Sequence, residues 1–248
     1  MTALNFSQQV AQIEANLANI KGRMEKAARK AGRDVNEIKL VAVTKLLPLE
    51  TIKAGIAAGI RDFGENYPEQ AVEKIQELAS DESLAWHMIG HIQSRKASSV
   101  CAYFDWVHAV DRIKIARRLD RFCAETNRSM PVLIEVNVSG EESKHGFNAW
   151  DEHRWPDLLS EFKEITEFPH LQIQGLMSMP PFFDDPEKTR PFYQRLGRLQ
   201  GFLRKELSEV SWDELSIGTS FDYEVAIEEG ATIIRLGTTI FGSRPVNE

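Results

Sequence analysis

The sequence feature that most constrains the fold is a regular alternation of short apolar, β-rich runs with helical runs. Eight such runs occur in 248 residues, each separated from the next by a helical segment. This order favours parallel strands joined by right-handed crossovers, and eight units in about 250 residues predict an α/β fold, a single (β/α)8 TIM barrel. An open, doubly wound sheet is the alternative. The predicted strands are residues 38–45, 61–66, 85–90, 106–111, 131–138, 171–178, 214–218 and 232–237.

An extra helix precedes these units. Apolar residues recur at spacings of three and four from Val10 to Ala31, and Gly32 follows as a helix terminator. We therefore expect one domain over residues 1–248, with a helical extension at 1–36 and the barrel at 38–244. The spacing also suits a coiled-coil dimer, but the helix has few turns. We favour packing on its own domain and a monomer.

Charge and hydropathy exclude several classes of protein. The formal net charge is −7, and no Lys/Arg run exceeds two residues, so neither nucleic acid nor anionic lipid is an expected partner. No run of about 18 apolar residues predicts a membrane span, and the first residues lack the pattern of a signal peptide. We expect a soluble cytoplasmic protein. Cys101 and Cys123 are expected to be buried free thiols, with a single bridge as the alternative.

A lysine closes the first predicted strand, and chemistry in such barrels lies where strands end. Lys45 shares one strand face with Val41 and Val43, but the sequence does not decide which face is the barrel interior. In one interpretation the charge simply leaves the strand into water. In the other, partial desolvation lowers the pKa of the amine and makes it available for an imine.

Two glycine- and hydroxyl-rich loops follow the seventh and eighth strands. The first is Ser216–Ser220, which contains Gly218 and Thr219, and the second is Gly237–Gly242, which begins with Gly237 and Thr238. Loops in these two positions form the usual phosphate site of a TIM barrel, because their amides and hydroxyls can donate hydrogen bonds. Tight turns without a ligand are the alternative, but the combination favours phosphate.

One cation lies close to these loops. Arg235 precedes Gly237 by two residues and can reach the body of a ligand held there, or it can form a salt bridge with Glu135. Other chemistry is poorly supported. His87 and His91 have helical spacing in a segment that reads as a strand, and no nearby acid completes a metal motif, so we expect no metal site.

Several ordered motifs resemble one family. The chain is similar to the pyridoxal phosphate homeostasis proteins, also called proline synthetase co-transcribed proteins, over roughly residues 38–244. The motifs are Val41-Ala-Val-Thr-Lys45, Phe63-Gly-Glu-Asn-Tyr67, Trp86-His-Met-Ile-Gly90 with Gln93, Asn137-Val-Ser with Lys144-His-Gly146, Gly175-Leu-Met177, Leu215-Ser-Ile-Gly-Thr-Ser220, Arg235-Leu-Gly-Thr238 and Ile240-Phe-Gly242.

The resemblance implies a barrel of the alanine racemase fold type that binds pyridoxal 5′-phosphate. It makes Lys45 the Schiff-base lysine and Arg235 the partner of the pyridine nitrogen. The implied phosphate contacts are Ser216, Ser220, Gly237 and Thr238, and the implied lining residues are Asn66, His87 and Met177. Such proteins influence the cellular supply of the cofactor without an established catalytic reaction. The resemblance thus implies a protein that is not an enzyme, with pyridoxal-phosphate-dependent apoenzymes as candidate partners.

This sequence departs from the family pattern at two points. Thr219 replaces the usual methionine, and Gly90-His-Ile-Gln93 replaces the usual Gly-Pro-Leu-Gln. Two alternative functions remain. An amino-acid racemase of this fold type carries a further β-domain, for which the six residues after Gly242 leave no room. A Schiff-base aldolase places its lysine on the sixth strand, where this sequence has Gly175-Leu-Met-Ser-Met179.

Overall fold

The computed structural model describes residues 5–242. Parallel strands alternate with helices along this range. The strands are β1 Lys39–Val43, β2 Asp62–Glu65, β3 Ala85–Met88, β4 Trp106–Val110, β5 Met130–Asn137, β6 Phe147–Asn148, β7 Leu171–Met177, β8 Glu214–Ser216 and β9 Ile233–Leu236. The α-helices are α1 Phe6–Lys30, α2 Leu49–Ala57, α3 Pro68–Glu77, α4 Ala97–Tyr103, α5 Ile113–Glu125, α6 Trp155–Thr166, α7 Arg190–Glu206, α8 Tyr223–Glu228 and α9 Thr238–Phe241.

Eight of these strands close into a barrel. The sheet order is β4-β3-β2-β1-β9-β8-β7-β5, and a further pairing of β4 with β5 joins its ends. The predicted TIM barrel with an extra N-terminal helix is confirmed, and the open-sheet alternative is wrong. The two-residue strand β6, which pairs with the end of β5, was not predicted. Two residues are too few to show the alternation by which strands are recognised.

The barrel interior shows which face of β1 looks inward. Val41 packs in an interior cluster with Ala109, Leu133, Met177 and Ile233. Ala42, on the opposite face, belongs to the larger core between the strands and the surrounding helices. Because side chains alternate along a strand, Val43 and Lys45 continue the inward face of Val41 toward the carboxyl end of the barrel. The strand therefore directs Lys45 to the barrel mouth.

The N-terminal helix α1 packs on this barrel as predicted. Asn5 caps the helix in a capping box with Gln8, and Gly32 follows its end with a φ of 68°. The amide of Asn16 donates to the carbonyl oxygen of Ile240 at 2.8 Å, which ties α1 to the end of the barrel. The domain limits stay predictions, since residues 1–4, 243 and 244 lie outside the described range.

Three further expectations concern individual segments. The loop predicted at Gly237–Gly242 instead contains the helical turn α9, whose last amides donate to the carbonyl oxygen of Gly237. A single turn is too short for helical periodicity to reveal it. Cys101 and Cys123 are free and buried, as expected, with sulfur atoms 3.3 Å apart. Within the described part of the chain, no helix combines the length and the hydropathy needed to cross a bilayer.

Candidate functional site

The carboxyl ends of the barrel strands surround a cavity of about 290 Å³, which we call the mouth cavity. It collects residues from six regions that are far apart in sequence, namely the carboxyl ends of β1, β2, β3, β7, β8 and β9 and the loops that follow them. The predicted site residues that line it are Lys45, Asn66, Thr219, Ser220, Arg235, Gly237 and Thr238. Both interpretations of Lys45 can now be compared, because its side chain is half-buried at this cavity.

A tight turn ends β1 directly after Lys45. The amide of Leu47 donates to the carbonyl oxygen of Thr44 at 3.0 Å, and Leu46 between them has a φ of 63°. A left-handed conformation in a residue other than glycine costs on the order of 1–3 kcal/mol and is found most often at functional sites. This turn stops the strand at the mouth and exposes Leu46 rather than Lys45.

A buried carboxylate braces the backbone before Lys45. Glu65 is fully buried at the end of β2 and accepts hydrogen bonds from Thr44 Oγ1 at 2.9 Å and from Lys74 Nζ at 2.8 Å. Lys74 also donates to the carbonyl oxygen of Thr44 at 3.2 Å. Charge-assisted bonds of this kind are among the stronger ones in proteins. The brace fixes the end of β1 against the end of β2, where Asn66 follows.

The two predicted phosphate loops are joined by one hydroxyl. Ser220 Oγ accepts from the amide of Gly237 at 3.2 Å and from the amide of Thr239 at 3.3 Å. The loops after β8 and β9 therefore form one continuous wall of the mouth cavity. Their hydroxyls and amides are the donors that a phosphate group requires.

The loop after β8 is also fixed from behind. The amide and hydroxyl of Thr219 donate to Asp222 Oδ1 at 2.8 and 2.9 Å, and Tyr193 donates its hydroxyl to Asp222 Oδ2 at 2.5 Å. Gly218 has a φ of 89°, and a Cβ there would come within 2.7 Å of Ala226 Cβ. Only glycine fits this close approach without strain, so the path of the loop depends on glycine at this position.

Arg235 places a buried cation at the base of the mouth cavity. Its Nη1 donates to the carbonyl oxygen and Oγ of Ser216 at 2.6 and 2.5 Å, and its Nη2 donates to the carbonyl oxygen of Ser178 at 3.3 Å. Burial lowers the pKa of the guanidinium, which nevertheless stays protonated. Within residues 5–242 it forms no ion pair, and the salt bridge to Glu135 considered from the sequence is absent there.

A chain of hydrogen bonds continues from Arg235 through the barrel interior. Ser216 Oγ contacts His108 Nδ1 at 2.8 Å, and His108 Nε2 contacts His87 Nδ1 at 3.0 Å. His87 Nε2 then contacts Asp62 Oδ1 at 3.0 Å. Burial lowers the pKa of both histidines, so each is neutral and has one N–H.

The Asp62 carboxylate sets the direction of this chain, because it can only accept. His87 donates to Asp62, which makes His87 Nδ1 an acceptor for His108. His108 Nδ1 must then accept from the hydroxyl of Ser216, whose oxygen accepts from Arg235. The direction of every hydrogen bond in the chain is thereby fixed, and the guanidinium is held in one orientation.

Four predicted site residues lie elsewhere. Gly218 lines a smaller neighbouring cavity with Thr219 and Arg235, and Met177 lines a cavity of about 460 Å³, which we call the rim cavity. Ser216 and His87 are fully buried among the residues that orient Arg235, and they line none of these three cavities. Direct contact of these two side chains with a ligand, as the resemblance implied, is not supported by this placement.

The two-residue period of a strand explains the position of His87 and identifies a cavity-lining residue that was not predicted from the sequence. Ile89 lies two residues further along the same face as His87 and lines both the mouth and rim cavities. Val43 lies two residues before Lys45 on the inward face and also lines the mouth cavity. Counting two residues on from His87 would have found Ile89. His108 had no such signal, because its role depends on contacts across the barrel.

Buried acidic chemistry lies on the opposite side of the mouth. Glu135 lines the rim cavity, and burial, followed by the nearby negative charge of Asp111, raises its pKa to about 7. The rim cavity shares Asn66, Ile89 and Met179 with the mouth cavity, so the two spaces adjoin. The carboxyl group therefore exchanges protons near neutral pH at the edge of the site.

Together these groups suit an aldehyde-bearing anionic ligand. The mouth cavity offers a primary amine at Lys45, a buried guanidinium at Arg235 and a wall of hydroxyls and amides around Ser220. Asn66 Oδ1 is buried beside this space and accepts no hydrogen bond from any described residue, so a donor on a ligand would satisfy it.

Comparison with known proteins gives the family. Residues 11–245 match the family model described as alanine racemase, N-terminal domain. A protein of Vibrio cholerae named pyridoxal phosphate homeostasis protein is 40% identical over 94% of this chain and 96% of its own length. One of the same name from Escherichia coli is 38% identical over 94% of this chain and 97% of its own. This chain belongs to the pyridoxal phosphate homeostasis protein family.

Solved structures agree with this assignment. PipY of Synechococcus elongatus, solved with pyridoxal phosphate bound, is 32% identical to the chain, with a TM-score of 0.81 over 93% of this chain and all of that one. An alanine racemase of Clostridium difficile has a TM-score of 0.71 at 14% identity, and the match covers 61% of its length. The racemase shares the fold over part of its length, whereas the similarity to the homeostasis proteins covers almost all of each relative.

Proposed function

We propose that this protein binds pyridoxal 5′-phosphate covalently through Lys45 and takes part in intracellular homeostasis of the cofactor. One observation carries the proposal: Lys45, Arg235 and the loops at Ser220 and Thr238 line one cavity at the barrel mouth. The relatives named pyridoxal phosphate homeostasis protein and the PipY structure with pyridoxal phosphate support the choice of ligand.

Each of these residues has a separate task in the proposal. When bound, the cofactor supplies an aldehyde that condenses with an amine. The Lys45 amine holds it covalently. Arg235 donates a hydrogen bond to the ring nitrogen and keeps its own proton, because a guanidinium is not deprotonated in proteins. The ring nitrogen therefore stays unprotonated. Ser220, Gly237 and Thr238 hold the phosphate.

The buried residues act through Arg235 rather than on the ligand. Ser216, His108 and His87 hold the guanidinium in one orientation by hydrogen bonds that end on Asp62. Gly218 and Thr219 fix the loop that carries Ser220. Met177 lines the adjoining rim cavity. We propose that Asn66 accepts a hydrogen bond from the cofactor, which satisfies its buried Oδ1.

We propose a carrier rather than an efficient racemase. Racemisation requires an acid/base on each face of the cofactor, and general acid–base catalysis is typically worth about 10²–10⁴ in rate. A racemase of this fold type uses a tyrosine as one of these groups, whereas Tyr193 here is fully buried and donates its hydroxyl to Asp222. We further propose that the protein works as a cytoplasmic monomer and passes its cofactor to pyridoxal-phosphate-dependent apoenzymes.

A paired assay separates carrier from racemase. The holoprotein would be incubated with each common L-amino acid while chiral composition is followed, and its cofactor would be offered to an unrelated apoenzyme. We expect measurable transfer and no efficient racemisation. Turnover of any amino acid at about 1 s⁻¹ or faster, the low end of ordinary enzyme rates, would favour the racemase.

A further inference from the structure

Two histidines and an aspartate meet at the rim of the barrel mouth, apart from the groups around Lys45. His91 follows β3, Asp111 follows β4 and His145 lies between β5 and β6. One potential ligand atom from each residue lies within 4.8 Å of the other two. His91 Nδ1 is 2.6 Å from Asp111 Oδ2, and the two imidazole rings stack with centroids 4.3 Å apart.

Two glycines bring the histidine loops to this place. A Cβ on Gly90, next to His91, would come within 2.6 Å of the carbonyl oxygen of Asn66. Gly146, next to His145, has a φ of 103°, and its Cβ would come within 2.6 Å of the carbonyl oxygen of Glu135. Both loops are thus pressed against neighbouring strand ends by contacts that no larger residue permits.

The aspartate between them is buried and oriented. Arg112 Nη1 donates to Asp111 Oδ1 at 2.5 Å, which leaves Oδ2 directed at His91. The histidines are exposed, whereas Asp111 is buried. An inner carboxylate that is already fixed and two outer imidazoles that can rotate make a preformed set of one oxygen and two nitrogen ligands.

We propose that His91, Asp111 and His145 bind a divalent transition-metal ion, with Zn²⁺ as the reference ion, at the rim of the barrel mouth. Two imidazoles and a carboxylate are a ligand set of Zn²⁺ sites, in which a fourth position is left for water. Ligand bonds of about 2.0–2.2 Å require ligand atoms within about 4.4 Å of one another. The three ligand atoms already lie within 4.8 Å of one another, and small rotations of the two exposed rings suffice to reach that geometry.

A metal ion held by these three residues would border the rim cavity, where a water molecule could occupy its fourth ligand position. His91 and His145 line the rim cavity together with Glu135 and Lys144, and this cavity adjoins the mouth cavity. Asp111 and Glu135 bring two acidic groups together here, and a divalent cation offsets their mutual repulsion. The bound water would be exchangeable from solvent. The proposal does not depend on the ligand of Lys45.

One of the three proposed ligands, His91, departs from the family pattern. His91 stands where the family pattern has proline, in the segment Gly90-His-Ile-Gln93. Proline has no side-chain donor atom and cannot replace this ligand. We therefore expect relatives with proline at this position to bind Zn²⁺ at least tenfold more weakly.

The test is a calorimetric titration of the full-length, tag-free protein with ZnCl₂, with its natural cofactor content left in place. We expect one ion per chain with a Kd of about 1 µM or tighter. His91→Gln and His145→Gln should each weaken binding at least tenfold. His170→Gln is the matched control, because His170 pairs with Asp120 at 3.2 Å but is not part of the cluster.

Two results would overturn the proposal. One is binding weaker than about 100 µM in the unaltered protein, which is typical of scattered surface histidines. The other is unchanged affinity in both His91→Gln and His145→Gln. Cys101 and Cys123 are present in every variant, so zinc binding by these thiols would appear as the second result. Because both histidines are exposed, circular dichroism should show folded variants, and the cofactor spectrum of each sample reports separately on Lys45.

Discussion

The two sides of the barrel mouth differ in how their polar groups are held. On one side, which we call the β8–β9 side, Ser220 joins two consecutive loops and Arg235 ends a chain of buried hydrogen bonds. On the other, the β3–β5 side, exposed His91 and His145 flank buried Asp111, and Glu135 holds its proton up to about pH 7. The first side is prearranged throughout, whereas the second combines two exposed imidazoles with the neighbouring acidic groups Asp111 and Glu135.

The two sides therefore suit different ligands, because one has fixed polar groups and the other has exposed side chains that can rotate. A buried guanidinium that is oriented by Ser216 and still has N–H donors to offer suits a ligand that must be held in one orientation. Exposed imidazoles around a fixed carboxylate suit an ion that enters from solvent. We therefore propose that the cofactor binds on the β8–β9 side and the metal ion on the β3–β5 side, and we expect substitutions on the two sides to act independently.

The largest effect is expected from the buried cation. Arg235→Leu removes the donor to the cofactor ring and leaves the buried oxygens of Ser216 without their partner. A charge-assisted hydrogen bond contributes about 1.5–3 kcal/mol, so affinity for pyridoxal phosphate should fall about 10- to 150-fold in a fluorescence titration. Arg112→Leu, on the β3–β5 side, is the control and should change this affinity less than threefold. Equal losses in both variants would show that the two sides are not independent.

The next effect concerns stability and pH on the β3–β5 side. Glu135 has its pKa raised to about 7 in the folded protein, whereas in the unfolded chain it titrates near 4.5. Between these values the folded state binds more protons, so this group's contribution to stability falls as pH rises from about 4.5 to 7. Glu135→Gln should therefore stabilise the apoprotein more at pH 8 than at pH 5, by about 2 kcal/mol after allowance for partial solvation.

Urea unfolding of both proteins at the two pH values, with EDTA present, measures this difference. Shifts from other titrating groups, including His87 and His108, are common to both proteins and cancel. Glu142→Gln, at an exposed position, is the matched control for loss of a carboxylate. A pH-independent effect of Glu135→Gln would mean that Glu135 is ionised in the folded state.

A smaller effect is expected from the hydroxyl that joins the phosphate loops. Ser220→Ala removes one donor and the bridge to the amides of Gly237 and Thr239. Affinity for pyridoxal phosphate should fall about tenfold, while affinity for pyridoxal, which lacks the phosphate, should change little. Ser143→Ala, at the rim cavity, is the matched control. A similar loss for both ligands would place the phosphate elsewhere.

The sequence predicted the fold more completely than the site, for a physical reason. The barrel follows from periodic apolar runs, and each predicted strand overlaps a barrel strand, from β1 to β9. The mouth residues Lys45, Ser220 and Arg235 could be proposed because strand ends and their loops are local in sequence. His87 and Ser216 were placed at the ligand because the sequence alone does not show how deep in the barrel a residue lies.

The sequence alone did not predict the His91, Asp111 and His145 cluster, because its members are far apart along the chain. Asp111 lies 20 residues after His91, and His145 follows a further strand, so only closure of the barrel brings them together. The sequence pairs His91 with His87 as possible metal ligands, but the side chain of His87 lies in the barrel interior and contacts His108. The expectation of no metal site came from that pairing, and the structure offers a different one.

Borohydride reduction of the holoprotein, followed by mass mapping of the modified lysine, tests the central claim most directly. Reduction converts the bond between the lysine and the cofactor aldehyde into a stable amine. The account predicts a single adduct on Lys45 and none in Lys45→Ala. Lys144 is the informative alternative, since it lines the rim cavity across the mouth. An adduct on Lys144, or on any lysine other than Lys45, would contradict the assignment of the cofactor to the β8–β9 side.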